Sequence, residues 1–256
     1  FKKIMRYNIF IFFTVLYSLS GVCQISDIQN IQNDFTTWSK YQKEQIFLST
    51  DFLPIDENSK VISKESFLTI LAEGNFIPIK ISDEQNQIKY QLYKILPSSD
   101  TSIRATIAQI AFDELHNYKM EGKKFPDFDF KDLEGNSITN KSFLGKITVI
   151  KCWYIHCTFC IKEFPQVNAL VDKYKSRNDI QFISLAEDNP QQLSTFLKKK
   201  PLSYSVVPNM KTYMNEALSL NAFPTHFIID KNGSILKVLT NFESLELALD
   251  KVMKEL

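Results

Sequence analysis

The chain has 256 residues, of which 44% are apolar and 23% are charged. This is the balance of an ordinary globular protein, and the length allows one large domain or two small ones. Its 30 basic and 29 acidic side chains leave a net charge of +1, which gives no reason to expect nucleic-acid binding.

Residues 1–23 have the order of a secretory signal peptide: basic residues, the apolar run Ile9–Leu19, then small residues. We expect cleavage between Cys23 and Gln24. An uncleaved membrane anchor is the alternative, although the strongly apolar part is short for a span of about 20 residues. A lipoprotein acylated on Cys23 is less favoured, because Val22 stands where Gly or Ala is preferred. Each interpretation places the rest of the chain outside the cytoplasm.

Residues 24–122 are polar, rich in Gln, Asn and Ser, and carry no motif that we recognise. Their apolar spacing predicts short helices and two strands. In chain order these are a helix through Tyr41, a helix at 66–72, strands at 76–81 and 88–96 joined by the turn 82–86, and a helix at 101–120. We interpret this region as an N-terminal α+β appendage of unknown role.

Residues 123–256 alternate between strands and helices more clearly. The predicted elements are a strand from Phe125, a turn at 132–136, a strand at 147–154, a helix at 159–177, a strand at 180–186, a helix at 190–199, a strand at 204–207, a helix at 212–218, strands at 225–229 and 234–239, and a helix from Phe242. This order predicts an α/β domain with a central mixed sheet and helices on both faces.

Cys157 and Cys160 lie where a predicted strand meets a predicted helix. The amides and positive dipole end of a helix start stabilise a thiolate. We therefore expect Cys157 to attack and Cys160 to resolve the mixed disulfide, with this redox-active pair and no added cofactor. A structural disulfide and a metal site are the alternatives. Zinc would normally need a second ligand pair, which is missing, although His156 and His226 could complete one.

Two separated motifs carry a resemblance to a known family. They are WYIHCTFCIKEFP at 153–165 and FPTHFIIDKNG at 223–233. They resemble the TlpA/ResA-type branch of the thioredoxin superfamily, and the resemblance runs from about Phe125 to Leu256. It implies a thioredoxin-like fold, membrane-facing or periplasmic thiol–disulfide exchange on protein substrates, and a membrane-linked electron donor. Members of this branch serve cytochrome c maturation or reduce other envelope proteins.

The resemblance also implies roles for individual residues. Pro224 corresponds to the cis-proline of the family, whose loop, with Phe223 and Thr225, faces the sulfurs and offers backbone groups to a substrate peptide. Glu163 matches a glutamate that modulates the cysteine pKa values and shuttles a proton; a solvated helix carboxylate is the alternative. Trp153 is either a substrate contact or a core residue.

Several residues depart from the family pattern. Lys151 stands where thioredoxins place a buried aspartate that acts as a base. That role then belongs to Glu163 or to water, or no group fills it. His156 replaces a tryptophan, and as a cation it would stabilise the neighbouring thiolate, whereas a neutral exposed histidine would not. The dipeptide Thr158–Phe159 lacks the usual proline, which leaves the redox potential open. Cys152 is expected to be a buried free thiol.

The leading hypothesis is an extracytoplasmic thiol–disulfide oxidoreductase, with residues 1–23 as signal or anchor. A copper carrier that uses Cys157, Cys160 and His226 is an alternative, but related carriers on this fold separate their cysteines by three residues. A redox-inactive module that recruits a partner through residues 24–122 is the other alternative.

Overall fold

A computed structural model describes residues 20–81, 87–220 and 222–255. Most of the predicted leader and the predicted turn at 82–86 therefore lie outside the described residues. No described helix is both long and apolar enough to cross a membrane. The elements before residue 120 are α1 Ser20–Asn33, α2 Phe35–Gln45, β1 Leu53–Ile55, α3 Lys64–Ala72, β2 Phe76–Ile81, β3 Lys89–Lys94 and α4 Thr101–Tyr118.

This N-terminal part is built on a small mixed sheet. Its strand order is β1-β3-β2, with β3 parallel to β1 and antiparallel to β2. Side chains from the helices and strands form one apolar core, whose fully enclosed members include Trp38, Phe67, Tyr90 and Ile103. The α+β character predicted for this region agrees with these elements. The short strand β1 was not predicted, because three residues are too few to show an alternating pattern.

The predicted helix through Tyr41 is two helices. Asp34 separates them in extended backbone, and its carboxylate accepts hydrogen bonds from the amide and hydroxyl of Thr37. A side chain that caps a helix in this way satisfies an amide that has no partner inside the helix. The helical spacing of apolar residues continues across the break and therefore predicts one helix. Asp34, as a capping residue, was the sequence signal for a second helix start.

The second part of the chain carries the larger sheet. Its elements are β4 Asp129–Lys131, β5 Ser137–Thr139, a 3₁₀ helix Asn140–Phe143, β6 Ile147–Trp153, α5 Thr158–Lys162, α6 Phe164–Tyr174, β7 Ile180–Ala186, α7 Pro190–Leu197, β8 Ser205–Val207, α8 Lys211–Glu216, β9 Thr225–Ile229, β10 Ile235–Leu239 and α9 Phe242–Lys254. The sheet order is β10-β9-β6-β7-β8, in which β6, β7 and β8 are parallel, while β9 and β10 are antiparallel to their neighbours.

Both faces of this sheet are covered, as the predicted α/β fold requires. One face packs against Phe125, Phe143 and helix α8. The other packs against α6 and α9, and continues into a cluster that contains both cysteines of the CxxC motif. Every residue of the central strand β6 is buried, which is typical of a parallel strand covered by helices on both sides.

Two further predicted elements are corrected by the structure. Phe125 does not begin a strand: it is buried under the larger sheet, and the strand starts at Asp129. The predicted helix 159–177 is divided at Glu163, which ends α5 and begins α6. Pro165 explains the division, because a proline has no N–H to continue the hydrogen-bond ladder but fits the first turn of a helix.

Polar contacts join the two parts of the chain near β10. Lys237 binds the carboxylates of Asp51 and Glu121, and Lys251 binds the other oxygen of Asp51. Glu114 on α4 accepts a hydrogen bond of 2.8 Å from the hydroxyl of Thr240. Burial raises the pKa of Glu114 to about 7, and the Thr240 bond offsets only part of that effect.

We predict that Glu114 makes the stability of the protein depend on pH. The pKa of Glu114 in the folded protein lies above the usual 4.5, so folding favours the protonated carboxyl. Below its unfolded pKa the carboxyl is protonated in both states, and it then does not lower the stability of the folded protein. Stability should then fall as the pH rises from 4.5 to about 7, by about 3 kcal/mol in total. Urea denaturation at about pH 5 and about pH 8 should show this loss in the wild type and a smaller one in Glu114→Gln.

All other titrating groups are common to the two proteins, so the difference between their pH profiles isolates Glu114. Identical profiles for wild type and Glu114→Gln would contradict the prediction.

Candidate active site

The two cysteines of the CxxC motif form a disulfide at the carboxyl end of β6. Their Cα atoms are 5.3 Å apart. Cys157 is the N-cap of α5, and its sulfur accepts a hydrogen bond of 3.1 Å from the amide of Cys160. Amides at the start of a helix stabilise negative charge, so this geometry favours a thiolate at Cys157 when the disulfide is open.

The two sulfur-bearing residues differ in accessibility. Cys157 is 5% exposed, whereas Cys160 is 0% exposed. Cys157 is flanked by exposed residues, among them Phe159, a large apolar side chain that is 67% exposed. Of the two cysteines, Cys157 is therefore the one that has surface open to a substrate; the order of attack and resolution stays a prediction.

The loop before β9 lies beside the disulfide. The Phe223–Pro224 peptide bond is cis, as the family resemblance implies. Phe223 packs against the apolar cluster that contains both cysteines, and its ring meets Tyr154 edge to face at 5.4 Å. Thr225 is buried and its hydroxyl donates to the carbonyl of Ala222. The structure thus brings Phe223 of the predicted loop next to the motif.

A surface depression of about 480 Å³ lies at Ile155 and His156, the residues that precede Cys157 in the chain. It is lined by His156 and Ile155 on the motif side and by helix α7 with Lys199 on the opposite side. Asp188 accepts a 2.7 Å hydrogen bond from the amide of Ile155, which fixes the loop that precedes the motif. His156 is exposed and lines this depression; its contact with substrate stays a prediction.

Trp153 needs a correction as a substrate-contact residue. Its side chain is fully buried and its ring meets Phe164 edge to face at 5.0 Å. A side chain with no exposed surface does not touch a substrate in this form of the protein. Its role is to pack the start of α6 and the two cysteines onto the sheet, which is the core alternative.

Three charged or polar side chains meet beneath the motif. The Lys151 ammonium group and Nε2 of His226 both contact Oε2 of Glu163, at 2.5 and 3.0 Å. Lys151 and His226 are fully enclosed, and the Glu163 side chain is 11% exposed. Strand register explains the meeting, because Lys151 on β6 stands directly opposite His226 on β9. Glu163 then reaches them from the junction of α5 and α6.

The protonation of this Lys151–Glu163–His226 triad follows from its contacts. Burial alone would raise the pKa of Glu163, but the His226 hydrogen bond and the Lys151 cation hold that pKa at about 2. Burial and the nearby cation lower the pKa of His226, so its ring is neutral at physiological pH. Burial also lowers the pKa of Lys151, and the carboxylate opposes that shift. The contacts thus pair the Lys151 side chain with the Glu163 carboxylate, and the His226 imidazole hydrogen-bonds to the same carboxylate oxygen.

The sequence predicted neither the Lys151–Glu163 contact nor the place of His226 in it. The residue types gave a partial signal, because a lysine on a strand that is buried on both sides needs a nearby carboxylate. Only the pairing of β6 with β9 identifies the partners. His226 is thereby held by Glu163, and the described residues contain no group of three or more His, Cys, Asp or Glu side chains placed to bind a metal ion.

Cys152 is a buried free thiol, as expected. It belongs to the apolar cluster on the face of the sheet opposite the one that packs against the disulfide. Burial raises its pKa above the usual value for a thiol. A thiol that is buried, protonated and on the opposite face is poorly placed to exchange with the pair.

Comparison with known proteins agrees with this geometry. Residues 122–238 match the AhpC/TSA family. The chain is 31% identical over 140 residues to the thiol-disulfide oxidoreductase ResA of Bacillus thuringiensis subsp. konkukian, which is 54% of this chain and 80% of that relative. It is 32% identical over 126 residues to the ResA of one Bacillus cereus strain, covering 49% of this chain and 72% of the relative.

Among solved structures, the thioredoxin domain of a thiol-disulfide oxidoreductase from Bacteroides vulgatus superposes with a TM-score of 0.47 at 20% identity, covering 52% of this chain and 96% of that domain. The disulfide beside a cis-proline and the similarity to ResA lead to one conclusion: the chain belongs to the ResA-type thiol-disulfide oxidoreductases.

Proposed function

We propose that this thiol–disulfide oxidoreductase acts outside the cytoplasm, exchanging disulfides of envelope proteins through Cys157 and Cys160. The observation that carries the proposal is the asymmetric pair at the start of α5, in which only Cys157 reaches solvent and its sulfur accepts a helix-start amide. Exchange requires one accessible thiolate that attacks and a neighbouring thiol that resolves.

The mechanism has two steps. In the reductive direction, the Cys157 thiolate attacks a substrate disulfide, so that one substrate sulfur leaves as a thiolate and a mixed disulfide forms. Cys160 then attacks Cys157 as its thiolate, restores the Cys157–Cys160 disulfide and releases the second substrate sulfur. The two electrons pass to the substrate, and a membrane-linked dithiol donor returns the pair to the reduced state. The pair itself is the redox group, with no further cofactor.

The surface around Cys157 suggests how protein substrates bind. Phe159 and Phe223 offer apolar contacts beside the sulfur, and the cis-Pro224 loop offers backbone groups to an extended peptide. The depression lined by His156 and Lys199 lies next to the attacking residue and has both polar and apolar side chains in its wall. These features fit a protein thiol or disulfide substrate better than a small molecule, because they form an open surface.

The proposed location rests on the leader-like order of residues 1–23 and on the relationship to ResA. Cytochrome c maturation is one process in this compartment that needs a thiol reductant, and we include it in the proposal. Labelling of Cys157 in intact cells by a maleimide that does not cross membranes tests the location. Labelling only after lysis would contradict it.

The activity itself is tested by insulin reduction driven by dithiothreitol. We expect the purified wild-type protein to accelerate precipitation of the insulin B chain. Cys152→Ala serves as a matched control that removes a thiol on the other face of the sheet, and it should match the wild-type rate. A wild-type protein that is folded and oxidisable but gives no acceleration would contradict the proposed function.

A further inference from the structure

The triad beneath the disulfide connects the three segments that form the redox site. Lys151 is on β6, six residues before Cys157; His226 follows Thr225 at the start of the cis-proline strand; and Glu163 lies at the end of the helix that carries both cysteines. Residues three apart on a helix are neighbours on one face, so Glu163 stands on the side of Cys160. A change in the charge of the Glu163 carboxyl therefore changes the electrostatic potential at the sulfurs.

We propose that Lys151 is a positioning residue that keeps Glu163 ionised at every physiological pH, so that Glu163 does not supply or accept the protons of disulfide exchange. The proposal deepens the proposed function and rests on it. It differs from the proton shuttle that the family resemblance implies for Glu163. The carboxylate acts instead as a fixed anion, neutralised by the lysine and oriented by His226.

The contacts carry this proposal. Both the ammonium group and the imidazole bind one oxygen of Glu163, and both side chains are fully enclosed. Protonation of the carboxyl would leave a buried ammonium group without its counter-ion, which is a costly arrangement. The buried Lys151 ammonium group therefore stabilises the ionised form of Glu163 relative to the protonated form.

Other groups around the triad do not replace this counter-ion. Tyr204 is buried near Glu163, and burial raises the pKa of its hydroxyl. Cys152 adjoins Lys151 in sequence and is a protonated thiol. Ser184 stands opposite Lys151 on β7 and is uncharged. Among the described residues that contact the Glu163 carboxylate, Lys151 thus supplies the counter-ion and His226 supplies a hydrogen bond.

The proton balance of exchange follows. Opening the Cys157–Cys160 disulfide takes two electrons from a partner dithiol, which becomes a disulfide, and two protons in the pH range where both thiols are protonated. If Glu163 stays ionised, both protons come from the partner thiols or from solvent. The pH dependence of the redox equilibrium then reports only on thiols.

The first test uses the wild-type protein. Carbon-13 labelling of glutamate carboxyl groups allows each side chain to be titrated by NMR, with Glu163 assigned by the signal missing in Glu163→Gln. We expect no titration of Glu163 between about pH 4 and about pH 9. A midpoint inside this range would overturn the proposal. The titration of Glu163 does not depend on exchange activity. A failure of this proposal is therefore seen by NMR, whereas a failure of the proposed function is seen in the insulin assay.

The second test removes the cation. The equilibrium of the Cys157–Cys160 pair with a reference dithiol is measured against pH in wild type, Lys151→Met and Lys151→Met/Glu163→Gln. A buried carboxyl without a counter-ion has a raised pKa, so Lys151→Met should gain an inflection between about pH 5 and about pH 8. We expect the equilibrium constant to change about tenfold across it, or about 30 mV.

The double variant should lose this inflection, because it has no carboxyl to titrate. A Lys151→Met curve parallel to that of the wild type would overturn the proposal. If Lys151→Met does not fold, the titration of Glu163 in the wild type decides the question alone.

Discussion

Replacing Cys157 by serine should reduce insulin reduction to the rate of dithiothreitol alone, whereas replacing Cys160 by serine should trap a mixed disulfide between Cys157 and the substrate. A serine hydroxyl does not form the anion that attacks a disulfide at neutral pH. Without Cys160, the first step proceeds but no neighbouring thiol resolves the intermediate. The two variants thus separate attack from resolution.

The structure gives the reason for assigning the steps in this order. Cys157 keeps a small exposed surface and accepts the helix-start amide, while Cys160 is completely enclosed in the cluster with Trp153 and Phe164. Mass spectrometry of Cys160→Ser with a substrate peptide should show the covalent adduct, and it should disappear on reduction. Wild-type activity in Cys157→Ser would mean that another thiol attacks, and it would contradict the assignment.

The second large effect concerns stability. Lys151→Met should lower the free energy of unfolding of the oxidised protein by about 3–5 kcal/mol, because it leaves the Glu163 carboxylate buried without its cation. Lys151→Met/Glu163→Gln should recover most of this loss, since both charges are then absent and an amide at 163 can still accept from His226. Urea denaturation of the four proteins in a double-mutant cycle, with Glu163→Gln as the second single variant, measures the coupling.

An exposed pair offers a matched control for this cycle. Lys175 is 3.9 Å from Asp172, and both side chains are about three-quarters exposed. Lys175→Met makes the same substitution at the surface and should cause no measurable change, since exposed ion pairs contribute little. Additive effects of Lys151→Met and Glu163→Gln would contradict the ion pair as a coupled unit.

The chemistry of the site was largely predictable from local sequence. Cys157 and Cys160 at a strand–helix junction indicate a thiolate at the N-cap, because the first amides of any helix lack partners. The predicted strands at 76–81, 180–186 and 225–229 coincide with those observed. These segments have strong apolar patterns and clear turn residues at their ends, so local signals define them.

Boundaries inside continuous apolar patterns were less predictable. The predicted helix 159–177 is broken at Glu163, and Phe125 belongs to the core instead of a strand. Both differences arise because burial is decided by neighbours that are distant in sequence. The periodicity of the sequence shows which residues are apolar, but it does not show which helix or strand packs over each of them.

The sequence by itself therefore determined the cysteine pair at a strand–helix junction and the alternation of strands and helices, while the cis-proline followed from the family resemblance. Tertiary structure alone decided the environment of Glu163. Lys151 and His226 are separated by more than 70 residues, and they become neighbours only when β9 pairs with β6. The ionisation of a buried carboxyl depends on the charges within a few ångströms of it, and the strand pairing supplies those charges.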